Sequence, residues 1–544
     1  MVEKIETLLL LLGLVGVLSV VAERLRFPFP ILLVIAGLGI AFLPNLPVVK
    51  LDPELVLIIF LPPLIFSAAW NFPWEDFRAN LIPIFALAVG LVLATMVGVG
   101  YAAHWIIPGM TLATGFVLGA IVSPPDAVAA NSVLKNLRVP RRLSTILEGE
   151  SLINDSSGLV AYQFAVAAVV TGSFSLSQAG GDFVWESLGG VAFGWAVGWV
   201  VAYVHRELSD SAVQVTLTIL TPYIAYLPCE HFGCSGVLAV VTAGLHLGHH
   251  AWETLSPENR LQRETIWRFI DYLLNGVVFI LIGLQFPAIW AGLAGDWNPA
   301  VLILLGIGVS LVVVAIRFAW IFPLALLQRI LVAEVRRQER LPWRELVAAS
   351  WAGMRGVVSL AAAMALPETT ATGEPFPFRH LILFLTFSVI FVTLVFQGLS
   401  LPWLMRKLKV EEEDETYLGE ARARLALMQG LVDEIEEIIA TKSDEAEKAS
   451  LRLWRDNYAQ RAHHLQIRIE SPQLQTESIF DCDMTVFPAL FQNIRLRLAE
   501  MRSRGEISEE MRKRIEYDFD LEDRRLHRLI GRYARSSAAK SRSR

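Results

Sequence analysis

The stretch Leu147-Glu-Gly-Glu-Ser-Leu-Ile-Asn-Asp-Ser-Ser-Gly-Leu-Val160 places Glu148, Glu150 and the Asn154-Asp155 pair at the head of an apolar run that continues from Ala161 to Val170. A charged side chain at the centre of a bilayer costs roughly 2.5–3.5 kcal/mol even on insertion scales, so a carboxylate there has a function by default. At helical spacing, Glu150 shares a face with Asn154, and Ser151 shares one with Asp155. What these groups serve depends on the sequence around them.

That sequence is membrane-like. The chain is 54% hydrophobic and 18% charged, with a mean hydropathy of +0.49; a soluble chain carries about 25% charged residues. Apolar runs of roughly 17–25 residues, each sufficient for a spanning helix, fall near 6–22, 27–45, 52–70, 80–107, 111–134, 143–171 and 183–204. Six more lie near 211–228, 231–248, 266–291, 298–325, 345–366 and 380–405. The first run begins with Glu3, Lys4 and Glu6, which is not a basic leader, and is read as a retained helix. Basic residues crowd one set of loops, among them Arg24, Arg26, Arg78, Arg138, Arg141, Arg142, Arg206, Arg336, Arg337 and Arg406; the other set has Lys4, Lys50 and Arg379. The positive-inside rule then puts the N-terminus outside and the C-terminus in the cytoplasm, with an odd number of spans.

The chain divides near residue 410. Residues 1–410 are the membrane part, and 411–544 form a helical cytoplasmic tail opening on Glu411-Glu-Glu-Asp-Glu415. Leu418, Ala421, Leu425, Met428, Val432, Ile435 and Ile439 make a heptad seam, which pairs either with another helix in a dimer or inside the tail's own bundle. A later tail helix is expected to begin at Ser508. Cys229, Cys234 and Cys482 lack metal-site spacing, and the first two are read as packed thiols. A net charge of −6 with no basic tract speaks against a nucleic-acid partner.

Three places in the membrane part break the hydrophobic rule. The first is Ser123-Pro-Pro-Asp-Ala-Val128, where consecutive prolines interrupt a helix and Asp126 follows the break; carbonyls near Gly119, Ala120 and Ile121 are expected to lose their partners and face an ion. The second is the 148–155 cluster, in which Ser151 and Asp155 offer oxygens to one dehydrated monovalent cation. Burial favours the neutral form of a carboxyl group, so Asp155 holds a cation or a proton in turn. Glu148, nearer the basic end, is read as interfacial. The third is a pair of membrane arginines, Arg317 and Arg355, which need partners if they are buried. Arg317 is assigned to Glu150, leaving Arg355 for Asp126 or for the helix ends at the break. The Gly353-Met-Arg-Gly356 run also interrupts a helix. Two discontinuous helices seven spans apart, and so oppositely oriented, suggest an inverted repeat with the binding site at the breaks.

Pro-Pro-Asp-Ala-Val at 124–128, Glu-Ser-Leu-Ile-Asn-Asp at 150–155, Arg317 and Gly-Met-Arg-Gly-Val-Val at 353–358 occur in order within residues 1–410. Together they resemble the monovalent cation:proton antiporter-1 family, the NhaP/NHE type of sodium/proton exchanger. The resemblance implies an all-α polytopic membrane protein of about thirteen transmembrane helices, with inverted repeats and two crossing discontinuous helices. It implies a homodimer in which a six-helix core moves as an elevator. It also implies that Asp155 carries cation or proton, with Asp126, Ser151 and the Pro125 carbonyl near the ion. Asn154, in place of a second aspartate, implies electroneutral exchange of one cation for one proton.

Two residues depart from the family pattern. Leu61-Pro-Pro-Leu-Ile-Phe-Ser67 ends in a serine where an acid is frequent, so that acid's role is lost or moved, and Pro125 stands for a frequent threonine. The expected cargo is Na⁺, with Li⁺ or K⁺ also possible, against H⁺; no cofactor is called for. The bacterial plasma membrane is the expected location. A cation channel and a K⁺-selective cation/proton antiporter are the alternatives. An intramembrane hydrolase built on Ser151 and Asp155 lacks a histidine or lysine base in its spans. His246, His249 and His250 cluster at one end of a span and invite a pH-sensor reading, imidazole being the usual residue for one, but competition at Asp155 already makes exchange pH-dependent without them.

Overall fold

A computed structural model describes residues 2–25, 27–42, 53–134, 137, 139–172, 176–208, 210–293, 297–331, 342–371, 373–410, 414–470 and isolated positions between 494 and 515. Each apolar run coincides with a helix or with a pair of helices in succession. By length and composition, six helices among the described residues suffice to cross a membrane, and three shorter apolar helices accompany them. The helix starts follow from local chemistry. Thr111 accepts from the amide of Thr114, Ser235 from that of Leu238, and Ser256, ahead of Pro257, from that of Asn259; each hydroxyl satisfies an amide that the first turn leaves unpaired. The Arg141–Thr171 helix, which carries the carboxylate cluster, ends on Gly172 at a φ of 69°, a left-handed position that glycine occupies without strain.

Small residues set how closely the helices approach. A Cβ on Gly119 would collide with the backbone of Met96, and one on Gly115 with the backbone of Gly100, so Leu112–Val122 lies directly on the Val92–Ile106 segment. Where no hydrophobic force separates helix from lipid, such close van der Waals packing is what joins helices. The Leu81–Ile106 helix also contains a π-helical stretch at Ala86–Leu91. Its widened turn exposes carbonyls that neighbouring helices use: Trp320 Nε1 donates to Ala86 O at 3.1 Å, and the Ser157 hydroxyl donates to Ala88 O.

The breaks are where expected. The first broken helix runs Leu112–Val122 and Ala127–Leu134, and the second runs Trp343–Trp351 and Val357–Met364. They meet: the Asp126 amide donates to Met354 O at 2.7 Å.

The chain forms two compact units, Met1–Glu412 and Glu413–Arg544. In the second, helices Asp414–Thr441 and Glu445–Glu470 pack on each other, and the Arg455–Glu436 ion pair at 3.7 Å joins them. Leu425, Met428, Val432, Ile435 and Ile439 are half-buried among exposed neighbours. The structure thus offers this seam a partner within the tail. The expected helix start at Ser508, and Cys482, lie outside the described residues. Cys229 and Cys234 are free thiols.

Gly119→Ala should destabilise the membrane unit by about 1–3 kcal/mol, because its methyl meets backbone that cannot yield. Gly39→Ala, in open space inside a helix, should be neutral or stabilising by about 0.5–1 kcal/mol. Thermal melts in detergent distinguish the two, and equal melting temperatures would contradict the packing argument.

Candidate functional site

Three helices and two helix breaks surround a cavity of about 290 Å³. Asp155 and Ser151 reach it from the Arg141–Thr171 helix, Pro125 and Asp126 from the first break, and Gly356 and Ser359 from the second. The Pro53–Asn71 helix and Asn275 of the Pro257–Leu284 helix complete the wall. Asp126 and Asp155 are half-buried. The polar lining is carboxylate, hydroxyl and amide, with no sulfur or imidazole, the donor set that suits hard cations. Carboxylates of this kind also accept protons.

Asp126 has structural duties as well. Its Oδ1 accepts from the amides of Val128 at 2.8 Å and Ala129 at 3.4 Å, capping the Ala127–Leu134 helix, whose N-terminus favours negative charge. Its Oδ2 lies where a Cβ at position 356 would be, so the second break needs Gly356 for the two to approach. Gly353 serves likewise, leaving room for the Arg317 side chain.

Asn154 engages Pro125, whose carbonyl the family resemblance places near the ion. Asn154 is fully buried, does not line the cavity, and donates from Nδ2 to Pro125 O at 2.8 Å. The amide fastens the Asp155 helix to the break through one lone pair of a carbonyl whose residue lines the cavity. Two carbonyls at the break have partners: Ala120 O accepts the Ser123 hydroxyl at 2.9 Å, and Val122 O accepts Arg355 Nε at 3.0 Å. Of the two roles open to Arg355, the structure places it on helix ends, with a second bond to Gly353 O. Among the described residues it forms no ion pair with Asp126.

Arg317 meets Glu150 as the sequence suggested. Nη1 and Nη2 lie 2.5 and 2.7 Å from Oε1 and Oε2, both side chains are 1% exposed, and Nε donates to Ala349 O at 3.1 Å. This fork-to-fork geometry is the strong form of the pair.

Two carboxylates had no part in the sequence reading of the site. Ser67 donates to Asp271 Oδ2 at 2.6 Å, so a carboxylate stands beside the serine that replaces an acid, supplied from the Pro257–Leu284 helix. A lone aspartate inside the 266–291 run was the available signal. Glu148, read as interfacial, lines the cavity, held by Ser144 Oγ at 2.9 Å and Asn131 Nδ2 at 3.2 Å.

Removing one member of the Glu150–Arg317 pair leaves a buried charge without compensation, at about 3–5 kcal/mol. Glu150→Ala should therefore lower the melting temperature sharply, and adding Arg317→Met should recover much of the loss. A double variant no better than the single one would show that the pair is not what position 150 contributes.

Comparison with known proteins agrees with this architecture. The model of the family described as "Sodium/hydrogen exchanger, transmembrane" matches residues 8–407. The chain is similar to the uncharacterized Na⁺/H⁺ exchanger YjcE of Escherichia coli, 32% identical over 537 residues, covering 94% of this chain and 97% of that protein. It is also similar to a sodium, potassium, lithium and rubidium/H⁺ antiporter of Bacillus pumilus, 36% identical over 412 residues, covering 73% of this chain and 61% of that one. The sodium proton antiporter MjNhaP1 of Methanocaldococcus jannaschii shares the fold, with a TM-score of 0.60 at 20% identity over 74% of this chain and 98% of the other. The chain is thus an all-helical, multi-pass membrane protein of the NhaP type that belongs to the sodium/hydrogen exchanger family, whose members are transporters exchanging a monovalent cation for protons, and not enzymes.

Proposed function

We propose that the protein exchanges one monovalent cation for one proton, with Na⁺ the principal cargo and Li⁺ and K⁺ also accepted, and with Asp155 as the carrier. The observation that supports this reading most is the single cavity onto which Asp155, Ser151 and both helix breaks open. A carboxylate that binds a cation or a proton, but not both, couples the two flows. Ser151 and Asp126 complete the oxygen shell, Asn154 and Pro125 hold it in register, and Glu150, Arg317 and Arg355 brace the helices around it. Asn154 brings no second titratable charge, which favours the electroneutral ratio.

In this reading about thirteen spans form two inverted halves, and an elevator movement gives the cavity alternating access. The protein works as a homodimer in a bacterial plasma membrane, with its N-terminus outside and its tail, residues 411–544, in the cytoplasm, contributing to pH homeostasis. Broad cation acceptance is supported by the relative from Bacillus pumilus, which takes sodium, potassium, lithium and rubidium.

Proteoliposomes carrying a pH-sensitive dye test the reading across a Na⁺, Li⁺ and K⁺ series. Cation should dissipate an imposed pH gradient whether or not the voltage is clamped, and Asp155→Asn should abolish the signal. Persistent exchange in that variant would remove Asp155 as the carrier, and cation current without proton movement would indicate a channel.

Competition for one carboxylate has its own signature. Where protons occupy the site, each unit fall in pH should raise the apparent KM for cation by up to about tenfold, with Vmax at saturating cation retained. A fall in Vmax at constant KM would mean that proton and cation bind separate groups.

A further inference from the structure

Glu148 is a carboxylate in the cavity to which the exchange cycle above gives no part. Ser144, Glu148, Ser151 and Asp155 follow one another at spacings of four, three and four, so they lie along one face of the Arg141–Thr171 helix; the last three line the cavity. At a rise of 1.5 Å per residue, Glu148 stands roughly 10 Å from Asp155 along the helix axis, toward the end that carries Arg141 and Arg142.

No opposite charge stands beside it among the described residues. Both donors, Ser144 Oγ and Asn131 Nδ2, are neutral and converge on Oε1. The contrast with Glu150, two residues away and neutralised by Arg317, is a contrast of function: a cancelled charge braces helices, whereas an anchored but uncancelled one attracts a mobile cation. A second observation marks the same cavity as polar along its length. Ser359, on the other broken helix, is 2% exposed, lines the cavity, and its hydroxyl has no hydrogen-bond partner among the described residues.

We propose that Glu148 is a capture site for the monovalent cation, filled before Asp155 as the cation enters from that end of the cavity and after it as the cation leaves. The inference rests on Asp155 being the carrier. A unit charge about 10 Å from the carrier, at the effective dielectric of a half-buried site, changes the cation's local concentration about three- to tenfold.

The test is Na⁺-dependent exchange by the full chain in proteoliposomes, comparing Glu148→Gln, Glu148→Ala and Glu148→Asp with Asp155→Asn. Gln keeps an acceptor for Ser144 and Asn131 and removes only the charge. The apparent KM for Na⁺ should rise about three- to tenfold in both Gln and Ala, Vmax should stay within about twofold, and Asp should remain near the native chain. An unchanged KM in the Gln variant overturns the proposal. So does a defect confined to Ala, which would report the lost hydrogen bonds, or an equal loss of Vmax in Gln and Asp, which would report a structural role. Exchange surviving in Asp155→Asn would remove the carrier assignment instead, so the two failures are distinguishable.

Discussion

A guanidinium and a carboxylate with almost no access to water join three helices of the membrane unit. Arg317 extends from the Pro299–Leu331 helix, Glu150 from the helix that carries Asp155, and the Arg317 Nε bond to Ala349 brings in the first half of the second broken helix. Charges in such surroundings are tolerated only when paired in good geometry with their remaining hydrogen-bonding groups satisfied, so these helices have little freedom to slide past one another. Gly353 leaves the space that the arginine fills. The position of Asp155, five residues beyond Glu150, follows from where this pair is fixed.

The helix junction is held by a second set of contacts. The Asp126 amide reaches Met354 O, Arg355 reaches Val122 O, and Asn154 reaches Pro125 O. Each uses a backbone group that an unbroken helix would have paired internally. The interruption therefore exchanges intrahelical bonds for bonds between helices, which is how irregular backbone survives at membrane depth.

Much of this was legible in the sequence because apolar runs, prolines and misplaced charges are strong local signals. The broken helices and the Glu150–Arg317 pair could be read from Pro124-Pro125, Gly353 to Gly356 and the cost of an unpaired arginine. Features that depend on distance in space were not legible. No local pattern says that the Pro125 carbonyl accepts from Asn154, or that Arg355 reaches carbonyls and not Asp126. Asp271 was passed over because a single aspartate hardly lowers the hydropathy of the run around it, and its relation to Ser67 spans 204 positions. That Glu148 lines the cavity was not legible either, because its nearness to a basic helix end says nothing about which way that helix face turns.

Asp126 caps a helix with the same carboxylate that it presents to the cavity. A proton arriving on that capping oxygen would compete with two amide donors for its lone pairs, and the cap would weaken. A cation approaching the opposite oxygen would leave both amides in place and reinforce the negative charge that the helix end favours. Whatever meets the Asp126 carboxylate therefore acts on a helix end as well as on a charge: a proton would loosen the cap of the Ala127–Leu134 helix, and a cation would leave that cap in place.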